Sequence, residues 1–206
     1  DADGFDFHVL VGFRGIGAGF ERCGILCAFF ADQAKDNAHL IFGGHRFVEG
    51  HPDAILIVEF YGENEAELRS KLDAMEAALK RTGFGYAWVR AFDAAEQTSI
   101  WKVRKAGLGF LLGMKGDRKP IAFVEDCAVE PSRLPEFFIR FRDVVDKFGT
   151  SAGYYGHASV GCLHIRPMIN TKDARDIQVM KDMTDEIADL VIEFGGGMSG
   201  EHGDGL

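Results

Sequence analysis

The sequence predicts an α+β fold of the ferredoxin-like kind, in which helices cover one face of a largely antiparallel sheet. Two observations support this prediction. Apolar runs typical of buried strands alternate over residues 52–206 with segments whose apolar side chains recur every three or four positions, as they do on helices. Of the 206 residues, 47% are hydrophobic, which is enough to build a core for one domain or two small ones.

The first predicted strand spans residues 54–61, a continuous apolar and β-branched run after Pro52. Asn64 and Glu67 then form a capping pair that begins a helix, and Gly83 ends it. The apolar face of this helix has four residues: Leu68, Leu72, Met75 and Leu79. The helix is therefore expected to pack on the strand before it.

The later segments repeat the order of strand and helix. Two of the helices end at glycines, which favour the left-handed conformation that follows a helix. In chain order we predict a strand at 85–92, a helix from Asp93 through Arg104 whose end Gly107, Gly109 and Gly113 obscure, a strand at 120–129, a helix at 132–148, a strand at 163–168 and a helix at 174–194.

Residues 1–51 give weaker signals, and we treat them as an N-terminal segment of the domain formed by residues 52–206. Residues 8–13 could form a strand. Gly15, Gly17 and the residues after them suggest a dinucleotide-binding loop, but Phe20 stands where the G-x-G-x-x-G fingerprint requires its third glycine. A flexible turn is the simpler interpretation.

Composition excludes several functions. Lys and Arg total 23 against 32 Asp and Glu, and a net charge of −9 disfavours a broad surface for nucleic acid or anionic membranes. No segment reaches the ~18 apolar residues of a membrane span. The four cysteines, including Cys23 and Cys27, lack the paired spacing of a structural zinc site, so a reducing, cytoplasmic setting is expected. Because the chain begins at Asp1 and ends just after a glycine-rich run, we expect a piece of a longer polypeptide.

Candidate chemistry is concentrated in two glycine-rich blocks, residues 155–166 and 195–205. They hold five residues of interest: His157, His164, Arg166, Glu201 and His202. The first two histidines are seven apart and would point to opposite faces of an unbroken strand, so Gly156 and Gly161 are expected to supply a bend. Two histidines and a glutamate form the ligand set of a catalytic zinc site. The alternative is a glycine-rich turn with hydrogen-bonded histidines.

The first block resembles the G-H-x-G-D-G-N-L-H motif, and the second the S-G-E-H-G motif, of the C-terminal domain of FAD-linked oxidases. This family contains D-lactate dehydrogenases, glycolate oxidase subunits and D-2-hydroxyglutarate dehydrogenases. Trp101 and Arg104 resemble its W-x-x-R, and the likeness extends back to Pro52. Cys162 replaces the family's Asn. The sequence of the first block resembles that of the long bacterial members of the family, which carry an additional iron–sulfur domain.

The resemblance implies a role for each matching residue. It assigns the divalent metal, zinc or otherwise manganese or iron, to His157, His164 and Glu201, and the catalytic base to His202. Arg104 would hold the substrate carboxylate. Arg166 replaces a family Asn and would add a second cation, which fits a dicarboxylate such as D-2-hydroxyglutarate better than D-lactate, although Arg166 could equally hold a single carboxylate. Cys162 is expected to pack beside the metal ligands.

The implied reaction is the oxidation of a D-2-hydroxy acid to the 2-oxo acid, with the hydride going to FAD. None of the family's glycine-rich flavin motifs occurs here, so an FAD-binding domain elsewhere in the polypeptide and an electron acceptor, such as the iron–sulfur domain, are expected partners. The fragment by itself should bind flavin weakly and show no turnover. Two alternatives are a metal- or effector-binding module without redox chemistry and a metal hydrolase.

Overall fold

The computed structural model describes the following residues: 5–13, 27–31, 54–83, 85–113 and 115–202. The proposed dinucleotide-loop residues and Cys23 lie outside these ranges. Within the described part of the chain, no helix is both long enough and apolar enough to cross a bilayer.

Eight strands and four α-helices make up the described structure. The strands are β1 (Phe5–Phe13), β2 (Cys27–Ala31), β3 (Ala54–Gly62), β4 (Ala87–Ala91), β5 (Lys119–Pro120), β6 (Cys127–Ala128), β7 (Ala152–His157) and β8 (Cys162–Ile169). The helices are α1 (Glu65–Arg81), α2 (Ala94–Leu112), α3 (Leu134–Lys147) and α4 (Ala174–Glu193). Short 3₁₀ turns occupy Pro131–Arg133 and Ala158–Val160.

The strands form one antiparallel sheet in the order β4-β1-β3-β2-β7-β8-β5, and β6 also pairs with β8. The α+β class with an antiparallel sheet, as the sequence predicts, is confirmed. The strand expected at 8–13 corresponds to β1, and Cys27 begins β2.

Two predicted elements differ from the observed ones. The strand expected at 120–129 is two separate two-residue strands, β5 and β6, with an irregular segment between them that contains Glu125 and Asp126. Because Asp126 has a positive φ of 74°, the chain turns there and cannot continue as a strand. The helix after Asp93 continues past both Gly107 and Gly109 to Leu112.

The sheet has helices on both faces, where the sequence predicted one. Leu56 and Val58 of β3 face the main core, which also contains the apolar sides of α1, α3 and α4. Ile55 and Ile57 alternate with them and pack on Ile100 of α2. Since neighbouring residues of a strand point to opposite faces, α2 lies on the other side of the sheet.

The helices begin and end where the sequence provides capping groups. The Asn64 side chain accepts a hydrogen bond of 3.0 Å from the backbone N–H of Glu67, as the capping pair predicts. Asp93 accepts one of 2.7 Å from the N–H of Ala95 at the start of α2. Gly83 and Gly149 follow helices with positive φ angles of 68° and 66°.

The segment after α4 returns along β6. Gly197 and Ala128 exchange two backbone hydrogen bonds of 2.9 Å each. A Cβ atom on Gly196 would lie 2.3 Å from the carbonyl oxygen of Ala128, so only glycine allows this approach. Because β6 itself pairs with β8, the second glycine-rich block is brought beside the first.

Candidate active site

The hairpin of β7 and β8 brings His157 and His164 to one face of the sheet. Tyr155 pairs with His164 and His157 pairs with Cys162, and paired residues of antiparallel strands share a face. The bend between the histidines is the 3₁₀ turn Ala158–Val160, followed by Gly161 with a φ of 70° as predicted, whereas Gly156 lies within β7 and does not form the bend. The two imidazole rings meet edge to face with their centroids 5.3 Å apart.

Asp126 holds the turn that carries Glu201 and His202. Its Oδ2 accepts hydrogen bonds from the backbone N–H groups of Gly200 (3.1 Å), Glu201 (2.8 Å) and His202 (2.7 Å). The Ser199 hydroxyl donates to the same oxygen at 3.0 Å. One buried carboxylate therefore fixes the backbone of the whole turn.

Burial alone would raise the pKa of Asp126, but the hydrogen bonds from His202, Glu201, Cys162 and Ser199 lower it well below its usual range. The carboxylate therefore stays ionised at neutral pH. Cys162 donates its thiol hydrogen to Oδ1 of Asp126 at 3.2 Å, and burial followed by this bond raises the pKa of the thiol. Cys162 is therefore a hydrogen-bond donor to Asp126 beside the site.

Three aromatic rings stack through the centre of the site. The ring centroids of Tyr155 and His164 are 4.6 Å apart, and those of His164 and His202 are 5.2 Å apart. His164 is 2% exposed, and burial followed by the proximity of His157 lowers its pKa. A neutral imidazole is the form that binds a metal.

The donor set fits a divalent cation. Oε2 of Glu201 lies 3.4 Å from Nε2 of His164 and 3.8 Å from Nε2 of His157. Bonds of about 2.0 Å in tetrahedral geometry place two ligand atoms about 3.3 Å apart, close to the first distance. The buried Nδ1 of His164 has no hydrogen-bond partner among the described residues, so the protein leaves part of this ring's bonding capacity unused.

A second group of four possible ligands shares His164 and Glu201 with the sequence-predicted set, adds Asp126 and His202, and lacks His157. Atoms of Asp126, His164, Glu201 and His202 all lie within 4.8 Å of one another. His157 is outside this group. Asp126 is a poor ligand in this arrangement because both of its oxygens already accept hydrogen bonds. The predicted set of His157, His164 and Glu201 remains a prediction.

Arg104 reaches the site from α2. Its Nη2 lies 3.3 Å from Nε2 of His157, and its guanidinium lies over the Trp101 ring at 5.3 Å from the centroid. Arginine can only donate, so Nε2 of His157 can only accept in this contact. Nε of Arg104 is buried and has no hydrogen-bond partner among the described residues.

Arg166 is already paired with a carboxylate. Its Nη2 lies 2.8 Å from Oε2 of Glu125, and both side chains are 13% exposed. The other carboxylate oxygen of Glu125 lies 3.4 Å from Nδ1 of His202. The positive charge of Arg166 is therefore balanced within the protein. Nε of Arg166, like that of Arg104, is buried without a hydrogen-bond partner among the described residues. Its role in holding a second substrate carboxylate stays a prediction.

The sequence analysis missed Glu125, Asp126 and Tyr155. The first two are adjacent acidic residues within an apolar run that the periodicity assigned to a strand. Such a pair in an apolar run is itself unusual, because buried carboxylates need partners. Tyr155 belongs to the first glycine-rich block and gave no separate signal.

The chain is similar in sequence to proteins of known function. A family model described as "FAD linked oxidases, C-terminal domain" matches residues 25–206. The chain is 36% identical to D-2-hydroxyglutarate dehydrogenase of Pantoea ananatis over 73% of its own length and 15% of that protein. It is 28% identical to D-lactate dehydrogenase of Archaeoglobus fulgidus over 79% of its length and 33% of that protein. The chain thus spans a third or less of these relatives.

A solved structure shares the fold. The chain superimposes on 4-ethylphenol oxidase from Gulosibacter chungangensis, in its isoeugenol complex, with a TM-score of 0.58 over 93% of this chain and 45% of the other. Only 10% of the residues are identical, so this likeness concerns the fold alone.

Proposed function

The chain belongs to the family of FAD-linked oxidase C-terminal domains, and on that premise we propose that it is the substrate- and metal-binding domain of an FAD-dependent 2-hydroxy-acid dehydrogenase. The observation that carries the proposal is the convergence of His164, Glu201 and His202 on one face of the sheet, with His157 and Arg104 beside them. FAD bound by another part of the full-length protein would supply the hydride acceptor for this reaction.

The substrate we propose is a D-2-hydroxy acid, with D-2-hydroxyglutarate favoured over D-lactate. The support is sequence likeness: four relatives named D-2-hydroxyglutarate dehydrogenase are 34–36% identical and a fifth is 26% identical, while two relatives named D-lactate dehydrogenase or probable D-lactate dehydrogenase are 28% and 24% identical. We also propose a separate electron acceptor, such as the iron–sulfur domain that the first block suggests. A cytoplasmic location is likewise a proposal.

His157, His164 and Glu201 are the residues we propose for the metal. When bound, a divalent ion supplies Lewis acidity to the 2-hydroxyl group and one carboxylate oxygen of the substrate. Zinc, manganese and ferrous iron all suit two imidazoles and a carboxylate. Nη2 of Arg104 lies 3.3 Å from Nε2 of His157, so a metal bound at that nitrogen would replace this contact.

His202 is the base we propose for the hydroxyl proton. It is 52% exposed, so a substrate can reach it, and it follows Glu201 directly. Its backbone N–H is held by Asp126, which limits the positions that the ring can take. A positioned base typically accelerates the reaction about 10²–10⁴-fold.

We expect His202→Ala in the full-length enzyme to lower kcat for D-2-hydroxyglutarate at least about a hundredfold. Steady-state kinetics measure the loss, and elemental analysis of the same sample checks that the metal is retained. Undiminished turnover in this variant would rule out His202 as the base. Loss of the metal together with activity would make His202 a ligand instead.

A further inference from the structure

Glu125 lies at the centre of a charged network that includes the proposed base. One of its carboxylate oxygens is 2.8 Å from the Arg166 guanidinium and the other is 3.4 Å from Nδ1 of His202. Glu125 and Arg166 are both nearly buried, while His202 is half exposed. A carboxylate held on one side by arginine therefore faces the inner nitrogen of an imidazole whose ring reaches solvent.

We propose that Glu125 is the positioning residue for His202, and that Arg166 acts through Glu125 rather than on the substrate. This inference rests on the proposed role of His202 as the base. A carboxylate at Nδ1 favours the tautomer that carries its proton there, which leaves Nε2 unprotonated and able to accept the hydroxyl proton. The same carboxylate stabilises the imidazolium that forms once that proton has moved.

Arg166 fixes the carboxylate that performs this task. Glu125 lies in the irregular segment between β5 and β6, where the sheet does not define its side-chain direction. Arg166 lies on β8, and paired strands hold it in place. Arg166 and Glu125 form an ion pair at 2.8 Å without the geometry of a hydrogen bond, and the other oxygen of Glu125 lies 3.4 Å from Nδ1 of His202. An arginine at this position therefore needs no second substrate carboxylate to explain it.

The experiment compares Glu125→Gln, Arg166→Gln and the double variant in the full-length enzyme, with D-2-hydroxyglutarate as substrate. Partners that orient active-site groups in this way typically contribute about 10–100-fold to activity. We expect both single variants to lose kcat in this range while KM changes less than about threefold. Because the two residues act as one unit, the double variant should lose no more than the worse single variant.

A metal measurement and a control variant make the result specific. Bound metal, by elemental analysis, should stay at the wild-type level in each variant, because neither residue belongs to the proposed ligand set. Glu193→Gln breaks the exposed ion pair with Arg140 and serves as the matched control, with unchanged kcat. The double variant leaves no unpaired buried charge, so it tests the proposal even where a single variant folds poorly.

Several results would overturn the inference. Wild-type kcat in Glu125→Gln would exclude Glu125 as the positioning residue while leaving the base assignment, tested by His202→Ala, intact. A rise in KM of tenfold or more in Arg166→Gln, with kcat retained, would return Arg166 to the substrate. Additive losses in the double variant would show that the two residues act separately.

Discussion

Single residues determine how closely the two glycine-rich blocks approach each other. Gly161 has a φ of 70°, and a Cβ atom there would lie 1.8 Å from the backbone oxygen of Val129. Gly149 has a similar φ of 66°, but a Cβ atom there would have no neighbour within 4 Å among the described residues. The two positions therefore separate the cost of backbone conformation from the cost of crowding.

We expect Gly149→Ala to lower the free energy of unfolding by about 1–2 kcal/mol, the cost of a left-handed residue with a side chain. Gly161→Ala should cost about 1–3 kcal/mol more, because the clash is with backbone and no side-chain rotamer relieves it. Urea unfolding measures both. Equal losses at the two positions would mean that the contact with Val129 gives way easily.

At the level of elements, α4 presents one side to the core and the other to solvent. Ile187 is fully buried at 0% exposure, whereas Ile192 on the same helix is 72% exposed. Ile187 packs in the core cluster with Phe137 and Phe141 of α3, and this contact supports the helix from which the second glycine-rich block continues.

The same substitution at these two positions gives a matched test. Ile187→Ala should lower the free energy of unfolding by about 2–5 kcal/mol through lost burial and a cavity. Ile192→Ala should stay within about 0.5 kcal/mol of the wild type, since it removes no buried contact. The midpoint of urea unfolding, followed by the helix signal in circular dichroism, compares them. A large effect at Ile192 would indicate that another surface covers this side of α4.

For the whole molecule, a bound metal would connect two distant parts of the chain. His157 and His164 belong to the central hairpin, while Glu201 follows the last helix. A ligand that binds only the folded state stabilises it by about 2.7 kcal/mol at a concentration of 100 Kd. Metal binding should therefore stabilise the entire domain rather than the site alone.

We expect Zn²⁺ to raise Tm by about 5–10 °C, from that free energy and the usual temperature shift for a chain of this size. A chelator should reverse the rise, and Glu201→Gln should weaken it because an amide is a poorer ligand than a carboxylate. Differential scanning fluorimetry with and without the metal measures the effect. An unchanged Tm at saturating zinc and manganese would contradict the ligand set.

Local patterns in the sequence were sufficient for much of this protein. Apolar runs and helical spacing predicted the α+β class, and the capping side chain of Asn64 appears where the pattern indicated. The glycine-rich blocks identified His164, Glu201 and His202, which the structure brings together. These features depend on neighbours a few residues apart, so the sequence displays them directly.

Only the tertiary structure decided the rest, because it depends on contacts between residues far apart in the chain. Asp126 is about 75 residues from the turn that it holds through four hydrogen bonds, and no local pattern links them. The pairing of Arg166 with Glu125 likewise balanced a charge that the sequence had assigned to the substrate. Periodicity gives the face of a strand or helix, but the partner across that face is fixed only when the sheet assembles.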